Sequence, residues 1–159
     1  MEVKEILKLK DSTLYSVTPD TLLSEAVIVM DDHDVGAVVV VEEGRLVGML
    51  TFREVISVLA SRQREGRTGP TPPMWEILVS EAMVPNPPTT DMSMDIDELR
   101  QLMVSSHARY IPVMDGERIL CIISLRDIAK AVLEERNFEN RLLKAYIKDW
   151  PEKTPAEAL

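Results

Sequence analysis

AVVVVEEGRLVGMLTFRE (residues 37–54) and YIPVMDGERILCIISLRD (residues 110–127) follow one plan at an offset of 73 (110 − 37 = 73). Each is an apolar, β-branched run, a short polar turn, a second apolar run, and then the tetrapeptide [ST]-x-Arg-[DE]. Two such runs around a glycine-containing turn predict a β-hairpin, with Gly44 and Gly116 supplying the turn. The register holds without a gap from about Val17–Val55 against Thr90–Ile128, and matches Glu25 with Glu98 and Met30 with Met103. A repeat of this period predicts a duplicated supersecondary unit.

Working outward, LLSEAVIVM (22–30) and IDELRQLMV (96–104) carry apolar residues at helical spacing. Asp20 or Thr21, and Ser93 or Asp95, are the expected N-caps. Short strands are expected before them, at LYSV (14–17) and PTT (88–90). A second helix starts at each tetrapeptide, from Phe52 to about Arg64 and from Leu125 to about Lys148. The fold class is therefore α/β (α+β): two β-α-β-β-α units packed sheet to sheet with pseudo-two-fold symmetry. One unit alone has too little interior to be stable. The expected divisions are repeat 1 at 1–65, a Gly/Pro-rich linker at 66–75, repeat 2 at 76–135, and a C-terminal helix and tail at 136–159.

Composition removes several function classes. The 159 residues carry 18 basic and 27 acidic side chains, a net charge of −9, which repels phosphate backbones and argues against nucleic-acid partners. The single cysteine, Cys121, lies in an apolar run, so no internal disulfide or CxxC motif exists. No run has the length of a membrane span, and the N-terminal residues lack a signal-peptide pattern, so a cytoplasmic protein without membrane insertion is expected. His33 and His107 miss equivalence by one position and read as solvated helix-end residues. No P-loop, nucleophile elbow or HExxH motif is present. An enzyme is not expected, nor a catalytic or metal-binding residue.

The tetrapeptides have two readings. As capping boxes, the Ser or Thr bonds the N3 amide while the acid at N3 reaches back. That reading accounts for Thr51, Glu54, Ser124 and Asp127, but not for the recurrence of Arg53 and Arg126. As ligand sites, the same helix starts present free amides and a positive dipole end to a phosphate. The hydroxyl donates to a phosphate oxygen, the arginine adds charge-assisted bonds, and the carboxylate accepts from two ribose hydroxyls.

In order and in duplicate, SVTPDTLLSEAVIVM, DVGAVVVVEEGRLVGMLTFREV, MVPNPPTT and RYIPVMDGERILCIISLRDI resemble a tandem pair of CBS (cystathionine β-synthase) domains, a Bateman module, over about residues 3 to 135. The resemblance implies a stand-alone regulatory sensor that binds an adenosine-containing nucleotide (AMP, ADP, ATP or NAD) between the copies. By position, Ser124 and Asp127 match the family's phosphate and ribose contacts, with Arg126 between them. Their adenine pocket would be formed by Val35, Gly36 and Ala37, with Leu14, Tyr15, Ser16 and Val17 and with Arg109 alongside. The first site would use Thr51, Arg53 and Glu54 with Pro88, Thr89, Arg109 and Tyr110. There Glu54 replaces the usual aspartate and is one methylene longer. Gly36 would let a base approach closely, and Tyr110 would stack on a base or fill the space. The family pairs such modules, and the apolar helix faces VISVL (55–59) and IAKAVL (128–133) predict a homodimer. An effector protein would read its state. The alternative is a ligand-independent dimerisation scaffold whose tetrapeptides are only helix caps.

Overall fold

A computed structural model describes residues 1–11, 13–66, 72–73 and 75–149. The two polar turns close two hairpins. β2 (Ala37–Glu42) pairs antiparallel with β3 (Arg45–Thr51), and β6 (Tyr110–Asp115) with β7 (Arg118–Ser124). Glu43 and Gly44 both have positive φ, as a two-residue type I′ turn requires, whereas in the second turn only Gly116 does. The repeat is kept at the level of single residue pairs. Ala37 faces Thr51 and Tyr110 faces Ser124, and each hairpin has an irregularity at the same place, between Val40 and Val41 and between Val113 and Met114.

The short strands β1 (Ser16–Val17) and β5 (Thr90–Asp91) pair parallel with β2 and β6. They begin two residues later than the expected 14–17 and 88–90. Helices α2 (Leu23–Asp32) and α5 (Ile96–Ser106) precede the hairpins. Val35 N–H donates to Met30 O at 3.0 Å, and Ala108 N–H to Met103 O at 3.1 Å, so each helix ends in the same closure. Helices α3 (Phe52–Glu65) and α6 (Leu125–Lys148) follow the hairpins; α6 is continuous.

Three elements were not anticipated. Helix α1 (Val3–Leu7) buries Val3 and Ile6 in the core of the second copy, beside Leu99, Ile111, Ile123 and Ile128. Helix α4 (Val79–Ala82) and strand β4 (Val84–Pro85) join the first copy, where Ile77 and Val79 pack with Leu23, Val38 and Leu50. The result is a four-stranded sheet, β1-β2-β3-β4, and a three-stranded sheet, β5-β6-β7, which meet through β3 and β7.

This exchange corrects one expected cap. Asp95 does cap α5, accepting from Asp97 N–H at 2.8 Å, but the N-cap of α2 is Leu22, with no side-chain cap bond. Leu23 N–H donates to Ile77 O and Val79 N–H to Thr21 O, both at 2.8 Å, so backbone from residues 77–79 binds the start of α2. Thr21 Oγ1 instead accepts from Thr18 N–H. Cys121 is buried in the second core, and His33 and His107 are exposed C-caps of α2 and α5. Most of the 66–75 linker, and the tail from residue 150, lie outside the described residues.

Candidate functional site

Both tetrapeptides close as capping boxes, but they use their atoms differently. At the start of α3, Glu54 Oε2 accepts from Thr51 N–H at 3.1 Å and also from the Thr51 hydroxyl, while Thr51 Oγ1 accepts from Arg53 N–H at 3.2 Å. One Glu54 oxygen thus takes both the amide and the hydroxyl of its own cap. At the start of α6, Asp127 Oδ2 accepts from Ser124 N–H at 2.8 Å, and Ser124 Oγ accepts from Asp127 N–H at 3.1 Å. The Ser124 side chain also helps to hold the Asp127 carboxyl low, as its own amide does.

Asp127 has a second partner, the Lys10 ammonium, 2.9 Å from Oδ2. Both side chains are about one-fifth exposed, at 21% and 22%. Lys10 Nζ also donates to Ile122 O. Burial works to raise the Asp127 carboxyl, but the Ser124 amide and the Lys10 ammonium outweigh it and hold it below its ordinary 3.8. Asp127 is therefore a carboxylate at neutral pH, an acceptor only.

Around it lies a cavity of about 650 Å³. Of the residues chosen from sequence, it brings together Ser124, Arg126, Asp127, Tyr15, Val35, Gly36, Ala37, Arg109 and Tyr110, with Leu14 beside them. Ser16 and Val17 do not line it: they are paired with Val39 and Val40 in the sheet, and Val17 is buried. Thr51, Arg53, Glu54, Pro88 and Thr89 lie outside this cavity. Tyr110, grouped with them from sequence, lines it from the second hairpin.

Gly36 is not open to a base as expected. A Cβ there would lie 2.1 Å from Tyr110 Oη and 2.8 Å from its Cζ, so the phenol already occupies that approach. Tyr110 meets Phe52 edge to face, with ring centroids 6.2 Å apart, and the Arg109 guanidinium stands 5.9 Å over the Phe52 ring. Burial, against the pull of Arg109, raises the Tyr110 phenol above its ordinary 10.0 and keeps it neutral. Tyr15 is held from the other side by a stacked His33, with centroids 3.9 Å apart.

Sequence reasoning missed Lys10 and Lys130. Lys130 was within reach, because it sits one helical turn after Asp127. Lys10 belongs to the segment after α1, outside the repeat register. The cavity is lined by Lys10, Arg109, Arg126 and Lys130 against Asp11, Asp34 and Asp127, a local balance of 4 − 3 = +1 in a chain of −9. That contrast favours an anionic ligand here against the average field of the chain. Among the described residues, no cluster of His, Cys, Asp and Glu could hold a metal ion.

The CBS domain family model matches residues 3–61 and 79–134. The chain belongs to the CBS-domain family. It is 33% identical to the CBS domain-containing protein YhcV of Bacillus subtilis over 114 residues, which is 72% of this chain and 75% of that protein. It is similar to the crystal structure of the CBS-domain containing protein ATU1752 from Agrobacterium tumefaciens (TM-score 0.71, 30% identity, 82% and 98% of the two chains). Two neighbours at 20% identity share the fold. One is CBSX2 in complex with AMP (TM-score 0.62, 77% and 90% of the chains). The other is the CBS domain pair of MJ0100 with 5-methylthioadenosine and S-adenosyl-L-methionine (TM-score 0.70, 85% and 98%). The tandem CBS pair expected from sequence is thus the fold this chain adopts.

Proposed function

We propose that this CBS pair is a regulatory module that binds an adenosine-containing nucleotide in the Ser124–Asp127 cavity. The observation that carries this reading is a cavity that joins a helix N-terminus, a serine hydroxyl, a carboxylate and four cations. The phosphate would sit at the start of α6, accepting from Ser124 and Arg126. The ribose hydroxyls would donate to Asp127, whose Oδ1 has no hydrogen-bond partner among the described residues. The base would lie toward Val35, Ala37 and Tyr15, bounded by Tyr110. AMP, ADP, ATP and NAD all meet this description, as does the AMP held by CBSX2, whereas the ligands held by MJ0100 share only the adenosine part. The Thr51–Glu54 box would bind more weakly, because it lies outside the cavity that gathers the four cations.

The module would act as a homodimer. Phe52, Ile56 and Leu59 on α3 and Leu125 and Leu133 on α6 are exposed, Ile56 at 57% and Leu133 at 59%. Apolar helix faces of this kind are a contact for a second copy. Ligand binding would then bias the arrangement of the copies and be read by an effector protein in the cytoplasm, through its differential affinity for two states. Among the described residues, no helix is long and apolar enough to cross a membrane.

A second reading is a ligand-independent scaffold, favoured by the fact that both tetrapeptides form capping boxes. A thermal-shift panel with AMP, ADP, ATP, NAD and S-adenosylmethionine separates the two. Ligand at about 100 times its Kd adds roughly 2.7 kcal/mol of stability. A scaffold gives no shift with any of them.

A further inference from the structure

We propose that Lys10 is a ligand-binding residue of this cavity and makes it select phosphorylated over neutral adenosine ligands. This inference rests on the nucleotide reading above and assigns the charge preference of the same site. Lys10 reaches the cavity from a fixed base. Val3 and Ile6 are fully buried in the second core, and Val3 N–H and Lys4 N–H donate to Met94 O and Met92 O, both at 3.0 Å. From there the Lys10 ammonium bonds Ile122 O and Asp127 Oδ2.

A lysine ammonium has three N–H donors. Two are used here, and among the described residues the third has no partner. Ile6, Leu9 and Ala131 also line the cavity, and an apolar side chain at position 10 would avoid the cost of desolvating a charge. The ammonium keeps the Asp127 carboxylate from opposing a phosphate, and it holds a donor toward the ligand. Among the described residues, Glu54 has no such lysine: its carboxylate is bound by Thr51.

Calorimetric titration of AMP and of adenosine into wild type, Lys10→Met and Lys10→Arg tests this. Charge-assisted hydrogen bonds are the strong ones, so Lys10→Met is expected to weaken AMP by about tenfold or more and adenosine by less than about twofold. Lys10→Arg is expected to keep the preference for AMP. Lys10→Gln, which donates without charge, serves in place of Lys10→Met if the latter melts early, with the same expectation. Equal losses for AMP and adenosine would mean that Lys10 only braces Asp127, and would overturn the inference. So would AMP binding at wild-type strength in Lys10→Met. Wild type binding neither ligand would overturn the nucleotide reading itself.

Discussion

Removing Asp127 should cost far more stability than removing Glu54, although both acids occupy N3 of a capping box. Glu54 serves its own cap, so Glu54→Ala loses a cap interaction worth about 1 kcal/mol. Asp127→Ala loses the same kind of cap and also strands the Lys10 ammonium, which is only 21% exposed. An exposed pair is worth about 0–1 kcal/mol, and breaking a fully buried one costs about 3–5 kcal/mol. This part-buried pair falls between, so Asp127→Ala should lose about 3 kcal/mol in all. Lys10→Met in the Asp127→Ala background removes the stranded charge and should recover about 1 kcal/mol. The Asp127 carboxyl is held below 3.8 in the fold, so its contribution is full above that value and is lost as pH falls through the depressed value. Urea denaturation at pH 7 of the two single variants and the double variant measures the effect. Equal losses for Asp127→Ala and Glu54→Ala, or no recovery in the double variant, would refute the reasoning.

Gly36→Ala should force Tyr110 from its place, because the new Cβ would stand 2.1 Å from the phenol oxygen. Overpacking of this kind costs about 1–3 kcal/mol, and Tyr110→Ala should relieve it, so the pair should be strongly non-additive in denaturant melts. Ile56→Glu, on the exposed face of α3, should convert the proposed dimer to a monomer by light scattering with little change in melting temperature. Leu99→Ala, fully buried in the second core, should cost about 2–5 kcal/mol. A loss under about 1 kcal/mol would contradict that core.

The repeat carried most of the fold, because hairpin registers, turns and helix starts are local and were written twice. Even the cap bond into each second helix is repeated: Phe52 N–H donates to Gly36 O at 3.1 Å and Leu125 N–H to Arg109 O at 3.0 Å. What the sequence hid was exchange. Val3 and Ile6 pack with the copy farther along the chain, and Val79 with the one before it, and five- and four-residue helices leave no periodic signal. The same non-local packing delivered Lys10 to Asp127, a pairing across 117 positions. Tyr110 was misplaced for a related reason. Its strand and register were legible, but its side chain crosses to the first copy and meets Gly36 and Phe52. At the Thr51 box the sequence showed the longer glutamate but not that its carboxylate takes both the amide and the hydroxyl of its own cap.

The most direct test of the account is calorimetric titration of AMP into wild type, Asp127→Ala and Glu54→Ala. Removing a charged acceptor costs about 1.5–3 kcal/mol, so Asp127→Ala should bind roughly ten- to 150-fold more weakly than wild type. Glu54→Ala should stay within about threefold of wild type, a difference of less than 1 kcal/mol. Unchanged binding in Asp127→Ala, across AMP, ADP, ATP and NAD alike, would contradict the account and leave both tetrapeptides as helix caps.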